Sequence, residues 1–366
     1  MGKTMQPMVE VRCGGHVTLL FAIDKSSRLP RNQGSRGAGF SVHHGVVMEA
    51  TLHTDEALTP APVMAGIEPD PQRTKTAHAV SDITVVNASG EPLEDTGLYL
   101  DFLQACREAT LLRDHERLEV RVSLECPTSQ GFGMSAAGLM ALGEAVHALT
   151  GRGRLAQYHK MAHRIEREHG AGLGDVLGLS VGGVELRLEP GAPGWPGHAV
   201  SFACTTPVLL VWDSTGERHT SMYIDDPVWQ TSITEAGEKS LAALRQGDWN
   251  EKRWSALLEE ARAFAEASGM LSEDQRATVH QTVLNAIVEH GLQAVCAARL
   301  CMLGSSVVVL PRNLDRLPTN EELERLEVHV RQAGLSAMQT EIAPVRHPNG
   351  GGPNRWGPSR ASEPQA

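Results

Sequence analysis

Apolar and polar residues change their period several times along the chain, and each change marks an element. In the first fifty residues, short apolar runs at 17–23 and 40–50 read as strands, separated by the loop SSRLPRNQGSRGAG at 26–39. A polar, Pro-rich stretch at 54–78 reads as an insertion or flap. A strand at 82–86 follows it, with a turn at Ser89 and Gly90, and residues 99–112 read as a helix. Across 118–126, Leu118, Val120, Val122 and Leu124 alternate with Glu119, Arg121 and Ser123, the period of a strand with one buried face. This strand runs straight into PTSQGFGMSAAG at 127–138. Beyond it, Leu139, Leu142, Val146 and Leu149 recur at helical spacing until Gly151 supplies a stop.

A second helix is expected at 155–169, ending in the glycine-rich GAGLGD, and a strand at 182–188. The Pro/Gly-rich residues 190–197 read as a surface turn, with a domain boundary just after them. The second half opens on a strand at 208–212 and is rich in long helices, at 233–244, 250–267 and 274–289. The glycine turn CMLGSS then precedes a strand at 307–310, a helix at 320–333 and a last strand at 337–343. From about residue 346 the apolar period vanishes, which predicts a disordered tail. The expected units are therefore 1–200, 201–345 and the tail 346–366, with no internal repeats.

Composition agrees with two packed domains: 366 residues at roughly 150 per domain, with 41% hydrophobic residues to fill their cores. The net charge of −11, from 44 acidic against 33 basic residues and no long basic run, argues against nucleic acid as a partner. A protein this acidic that handles anions must concentrate positive potential locally, at helix N-termini, backbone amides, a few Arg or Lys side chains or a magnesium ion. Six scattered cysteines show neither paired zinc-knuckle spacing nor a CxxC motif and read as reduced structural thiols. Nothing resembles a signal peptide, and no segment approaches the ~18 apolar residues of a membrane span, so a cytoplasmic location without a membrane partner is expected.

A strand, a loop of small residues and a helix opening on Ser135, Ala136 and Ala137 form a recipe for holding phosphate. Gly131 and Gly133 let the backbone approach an anion closely, and free amides at the helix start point at it. Taken alone, the glycine spacing fits a tight turn with a serine cap equally well. No Walker A sequence occurs; Gly2, Lys3 and Thr4 imitate only its last three letters. In the following helix, His163 and Glu166 share a face, whereas His169 is rotated about 240° from His163, so the segment is not a zinc helix. Glu166 reads either as a solvated carboxylate or, facing the loop, as a magnesium ligand together with Ser135. Asp175 stands in GLGDV at the start of a short helix, where the alternative reading is an ordinary cap. Ser35 and Arg36, between glycines, are candidates for gripping a carboxylate. His16 and the pair His43 and His44 rank below these, the pair lying on opposite strand faces.

These segments together resemble the GHMP kinases. PTSQGFGMSAAG is similar to the family's phosphate loop, VRCGGHV at 11–17 to its N-terminal strand-and-turn motif, and ARLCMLGSSV at 298–307 to its C-terminal glycine turn. VRCGGHV departs from the family in having Gly14 where proline is usual. Within the family, GSRGAGFSV, QGFGMSAAG, HRIE with GLGDV, and MLGSS resemble archaeal pantoate kinases, and the matches run from 11 to about 310. The resemblance implies a two-domain α/β (α+β) fold, with an N-terminal domain like ribosomal protein S5 and a ferredoxin-like C-terminal domain. It implies transfer of the terminal phosphoryl group of ATP to pantoate, giving 4-phosphopantoate for coenzyme A synthesis. In that reading, Pro127, Gln130, Gly131, Phe132, Gly133, Met134, Ser135, Ala136 and Ala137 bind the nucleotide, and Ser135 and Glu166 hold Mg2+. Asp175 addresses the substrate hydroxyl, while Ser35, Arg36, His163 and Gly304 bind the substrate. Another small alcohol as acceptor, or an inactive nucleotide-binding regulator, are the alternatives; a homodimer is compatible with the resemblance but not dictated by the sequence.

Overall fold

The computed structural model describes residues 7–55, 79–215 and 221–346. All but the first two residues of the expected insertion, and the tail after Arg346, lie outside the described residues. The first sheet is built from β1 (Met8–Asp24), β2 (Gly34–Thr54), β3 (Asp82–Val86), β4 (Pro92–Leu93), β5 (Glu116–Leu124), β6 (Val184–Glu189) and β7 (His198–Phe202). Its order is β4-β3-β5-β2-β6-β7, with β1 paired antiparallel to β2 along most of its length. The helices α1 (Gly97–Glu108), α2 (Met134–Thr150), α3 (Leu155–Glu168) and α4 (Asp175–Val181) belong to this half.

The strand β2 corrects the expectation of a loop at 26–39. GSRGAG is the start of β2, with Ser35 opposite Ile23 and Arg36 opposite Ala22 of β1. Its glycines serve close packing: a side chain at Gly37 would run into the Arg187 guanidinium and one at Gly39 into the Val17 carbonyl. The true connection is 25–33. The pairing of β7 with β6 also carries the first sheet through Phe202, two residues past the expected boundary.

The second sheet is antiparallel, in the order β11-β8-β10-β9, from β8 (Pro207–Trp212), β9 (Cys296–Cys301), β10 (Ser306–Pro311) and β11 (Ser336–Glu341). Its helices are α5 (Ser221–Ile224), α6 (Pro227–Leu244), α7 (Trp254–Ala267), α8 (Asp274–Glu289) and α9 (Asn320–Gln332). The start of α6 precedes the expected 233 because Asp226 caps the amides of Val228 and Trp229 and Pro227 occupies the first turn. β7 and β9 escaped the sequence pattern; β9 was folded into the glycine turn that follows it.

The two halves interlock. Met302 donates its amide to Thr18 of β1, and Gln130 donates to the Asp213 carbonyl beyond β8. After β11 the chain returns to the first half: Ala343 donates to the Ser41 carbonyl and Arg346 to the Val181 carbonyl. The side chain of Arg346, expected in a disordered tail, is instead paired with Glu144 of α2 at 2.7 Å. All six cysteines are buried free thiols. Among the described residues, no helix is long and apolar enough to cross a membrane.

Candidate active site

A cavity of about 520 Å³ opens between the phosphate loop, the glycine turn before α4 and the start of β10's hairpin. The loop reaches it because strand β5 ends at its rim and the backbone reverses there: Ser129, Gly131 and Gly133 all take positive φ, at 59°, 75° and 65°. Only Gly adopts such angles without strain, and here space is short as well. A side chain at Gly131 would lie 2.9 Å from the Met302 carbonyl, and one at Gly133 2.9 Å from His16 Cβ. Gly133 is the N-cap of α2, so the first amides of a seventeen-residue helix, which have no intrahelical partner, start at the cavity.

Ser135 donates to Glu166 Oε1 at 3.2 Å. Glu166 is fully buried, and its Oε2 has no hydrogen-bond partner among the described residues. Burial, with the charge of Asp175 adding to it, pushes this carboxyl up to about 8 against the pull of Arg167 and Ser135. A buried carboxylate short of countercharge beside a hydroxyl is a donor set that fits a hard divalent cation.

Asp175 begins α4 and keeps 23% of its side chain open. Its Oδ1 accepts from His16 Nδ1 at 2.6 Å; the other ring nitrogen of His16 bonds Glu185 at 2.9 Å, and Arg187 donates to the same Glu185 oxygen at 2.7 Å. His16, Glu185 and Arg187 are completely buried. Burial opposes charge on His16, yet Glu185 and Asp175 outweigh it and raise its pKa to about 9. Burial would likewise raise Asp175, but the hydrogen bond and charge of His16, with Arg187, hold it below the usual carboxylate range.

Of the residues expected in the site, Pro127, Gly131, Phe132, Gly133, Met134, Ser135, Asp175 and Ser35 line the cavity. Gln130 does not: it reaches across to Asp213, while Ala136 and Ala137 are buried in the core below the helix start. Arg36 points to the opposite strand face from Ser35, and its guanidinium is held by Asp24 at 3.0 Å and Glu238 at 2.7 Å. His163 is buried and bonded to the Gln33 carbonyl at 2.9 Å, with burial pressing its pKa down to about 4. It supports the 25–33 connection and does not line the cavity. Gly304 packs against the Gln130 backbone; its neighbours Met302 and Leu303 form the cavity wall. His44 lies away from the cavity, bonded to Thr340. Glu185 and Arg187 were missed altogether, and His16 was ranked low. In the sequence, charged residues alternating with Val184 and Leu186 look the same whether their face meets water or a buried histidine.

Comparison with known proteins follows the same lines. Residues 99–183 match the model of the GHMP kinases N terminal domain. The pantoate kinase of Thermococcus kodakarensis is 26% identical over 89% of this chain and 93% of its own length. That of Methanospirillum hungatei is 28% identical over 54% of this chain and 62% of its own. Among solved structures, one described as a phosphotransferase related to the CoA biosynthesis pathway superposes with a TM-score of 0.69 at 23% identity, covering 93% of this chain and 97% of the other. Mevalonate diphosphate decarboxylase of Enterococcus faecalis superposes at 0.59 with 15% identity, over 92% and 97%. At these identities the structures show the shared fold.

Proposed function

We propose, from a chain that carries the GHMP kinase N-terminal domain and the two-domain fold of that family, that this protein transfers the terminal phosphoryl group of ATP to the primary hydroxyl of pantoate. The observation that carries the reading is the meeting of three parts at one cavity: the α2 N-terminus with its glycine loop, the Ser135 hydroxyl with Glu166 buried behind it, and the Asp175 carboxylate held by His16. The pantoate kinase relatives, one of them aligned over nearly its whole length, support pantoate as the acceptor.

In this reading the amides at the start of α2 and the backbone of Gly131 and Gly133 receive the phosphates. The apolar wall of Val85, Leu93, Leu98 and Leu124 suits a flat nucleobase. Ser135 and Glu166 would hold Mg2+, which would neutralise phosphate charge in a cavity lined by Glu94, Asp95 and Asp175 and, among the described residues, by no Arg or Lys. Asp175 accepts a hydrogen bond from the acceptor hydroxyl and fixes its line of approach; Ser35 faces the same space. A carboxylate held low by an imidazolium is a weak base. That suffices, because phosphoryl transfer has a loose transition state, and catalysis comes from positioning and charge neutralisation.

The test is ATP consumption by the purified protein with pantoate, mevalonate or homoserine as acceptor and Mg2+ present. Turnover with pantoate well above the others supports the reading. No turnover of pantoate above the acceptor-free rate overturns it, and turnover of another alcohol alone reassigns the acceptor. ATP binding without turnover of any of the three identifies a nucleotide-binding regulator.

A further inference from the structure

The sequence motifs leave β6 without a function, yet β6 supplies two of the three charged groups buried behind Asp175. His16 stands at the centre of the set. Its ring nitrogens lie 2.6 Å from an oxygen of Asp175 and 2.9 Å from one of Glu185. A carboxylate only accepts, so two carboxylate partners require a proton on both nitrogens, and the ring is a cation. Arg187 closes the set from the other side: its Nη1 donates at 2.7 Å to the Glu185 oxygen that His16 also uses and lies farther, at 3.4 Å, from His16 Nε2, while its second terminal nitrogen donates to Thr18 at 3.3 Å. Two cations and two anions then share a volume with no water access on three of the four groups, which is tolerable only because the charges cancel.

The ring has no room to move. A side chain at Gly178 of α4 would strike its Nε2, and Gly133 closes on its Cβ. The charged groups facing it come from α4 (Asp175) and β6 (Glu185 and Arg187), with Glu166 of α3 beyond Asp175; β2 offers Ser41 opposite it, and the loop offers the Phe132 carbonyl to its amide.

We propose that Glu185 and Arg187 of β6 are positioning residues, which clamp His16 as a doubly protonated imidazolium and through it hold Asp175 toward the acceptor hydroxyl. The proposal rests on the kinase reading for its consequence in catalysis, but the charge state of His16 does not. Removing the Glu185 charge leaves the buried set one positive charge in excess. Arginine does not give up its proton, so His16 must. The ring keeps one N–H for Asp175 but loses its charge and its second anchor on Glu185, so the carboxylate is held less firmly, and a small displacement of an orienting group costs about 100-fold in rate.

Two measurements test this. The first uses the wild-type protein labelled with 15N-histidine, with His16 assigned by comparison with His16→Gln. At pH 7.5 both ring nitrogens of His16 should show the imidazolium signature, and a neutral tautomer there overturns the proposal. The second compares Glu185→Gln and Glu185→Asp with wild type, after circular dichroism and nucleotide binding show that each is folded. The Gln variant should lose about 100-fold in kcat with little change in KM, and the alkaline limb of its pH profile should move down by a unit or more. The Asp variant should recover at least a tenth of the wild-type rate. An unmoved limb with kcat within twofold of wild type assigns Glu185 a structural role only and defeats the proposal. If pantoate proves not to be the acceptor, the best alcohol of the panel replaces it, and the histidine spectrum needs no substrate. The two failures are thus told apart.

Discussion

His16 and Glu166 both bind a proton more tightly in the folded chain than in the unfolded one, which ties the stability of the site to pH. For His16 the folded pKa of about 9 lies above the unfolded 6.5, so its contribution is complete below 6.5 and lost as pH rises through 9. For Glu166, about 8 against 4.5, stability likewise falls with rising pH between these values, because the unfolded carboxylate ionises first. In metal-free buffer the midpoint of thermal unfolding should therefore fall from pH 5 to pH 9.5. Glu166→Gln should flatten the acidic part of that slope and His16→Gln the alkaline part; slopes unchanged in both variants would remove the pKa assignments. Asp175 behaves oppositely, its depressed pKa giving stability above pH 3.8 that is lost in acid. Its function is separable from its charge balance. Asp175→Asn should reduce kcat by about 10³-fold while ATP still binds, checked by single-turnover phosphoryl transfer beside nucleotide titration. Full activity would deny Asp175 its role.

Elements turn these side chains toward one another, and the loop before α2 does most of the turning. Gly133 is the sharpest test, since it combines a φ of 65° with the close approach of His16. Gly133→Ala should weaken ATP binding by at least about 10-fold, measured by titration with a fluorescent nucleotide, with the melting midpoint lowered by only a few degrees. This element was legible in the sequence because its parts are local: an alternating strand, a run of small residues and a helical period follow each other without interruption. The α8 bounds and β3 were legible for the same reason, and Asp175 as the first residue of a short helix followed from the glycines before it. Arg36 misled because glycines around an arginine look the same in a mobile loop as in a strand packed tightly against its neighbours. The pairing of β2 with β1 and β6 decides between these, and strand pairing at long separation leaves no trace in a local pattern. The Glu185–Arg187 pair is hidden by the same physics. The alternation in β6 says which residues share a face, while the histidine packed over that face comes from β1, 169 residues from Glu185 in the chain.

At the scale of the whole molecule the cavity depends on two halves staying in register, and the last described residue is one of the ties. Arg346 enters the first half after β11, donates its backbone amide to Val181 at the end of α4, and pairs through its guanidinium with Glu144 of α2. Glu144 has a second basic neighbour in His159 at 3.7 Å, so the carboxylate sits between two helices and the returning chain. The helix pinned in this way is the one whose first turn faces the cavity, and the residue bonded to the Arg346 amide closes the helix that begins with Asp175. Deleting one partner of a pair this little exposed strands the other charge, at a cost on the order of 2–3 kcal/mol. Arg346→Ala should accordingly lower the unfolding midpoint by several degrees. Glu144→Gln, which leaves the arginine without its partner, should cost a similar amount. If the pair only fastens the halves together, the double variant should cost clearly less than the sum of the two, and KM for ATP should stay within about twofold of wild type in all three. Additive losses would mean that Arg346 and Glu144 act independently. A rise in KM would show that the tie also sets the height of α2 beneath the phosphates, and thermal unfolding monitored beside steady-state kinetics on the same samples separates these outcomes.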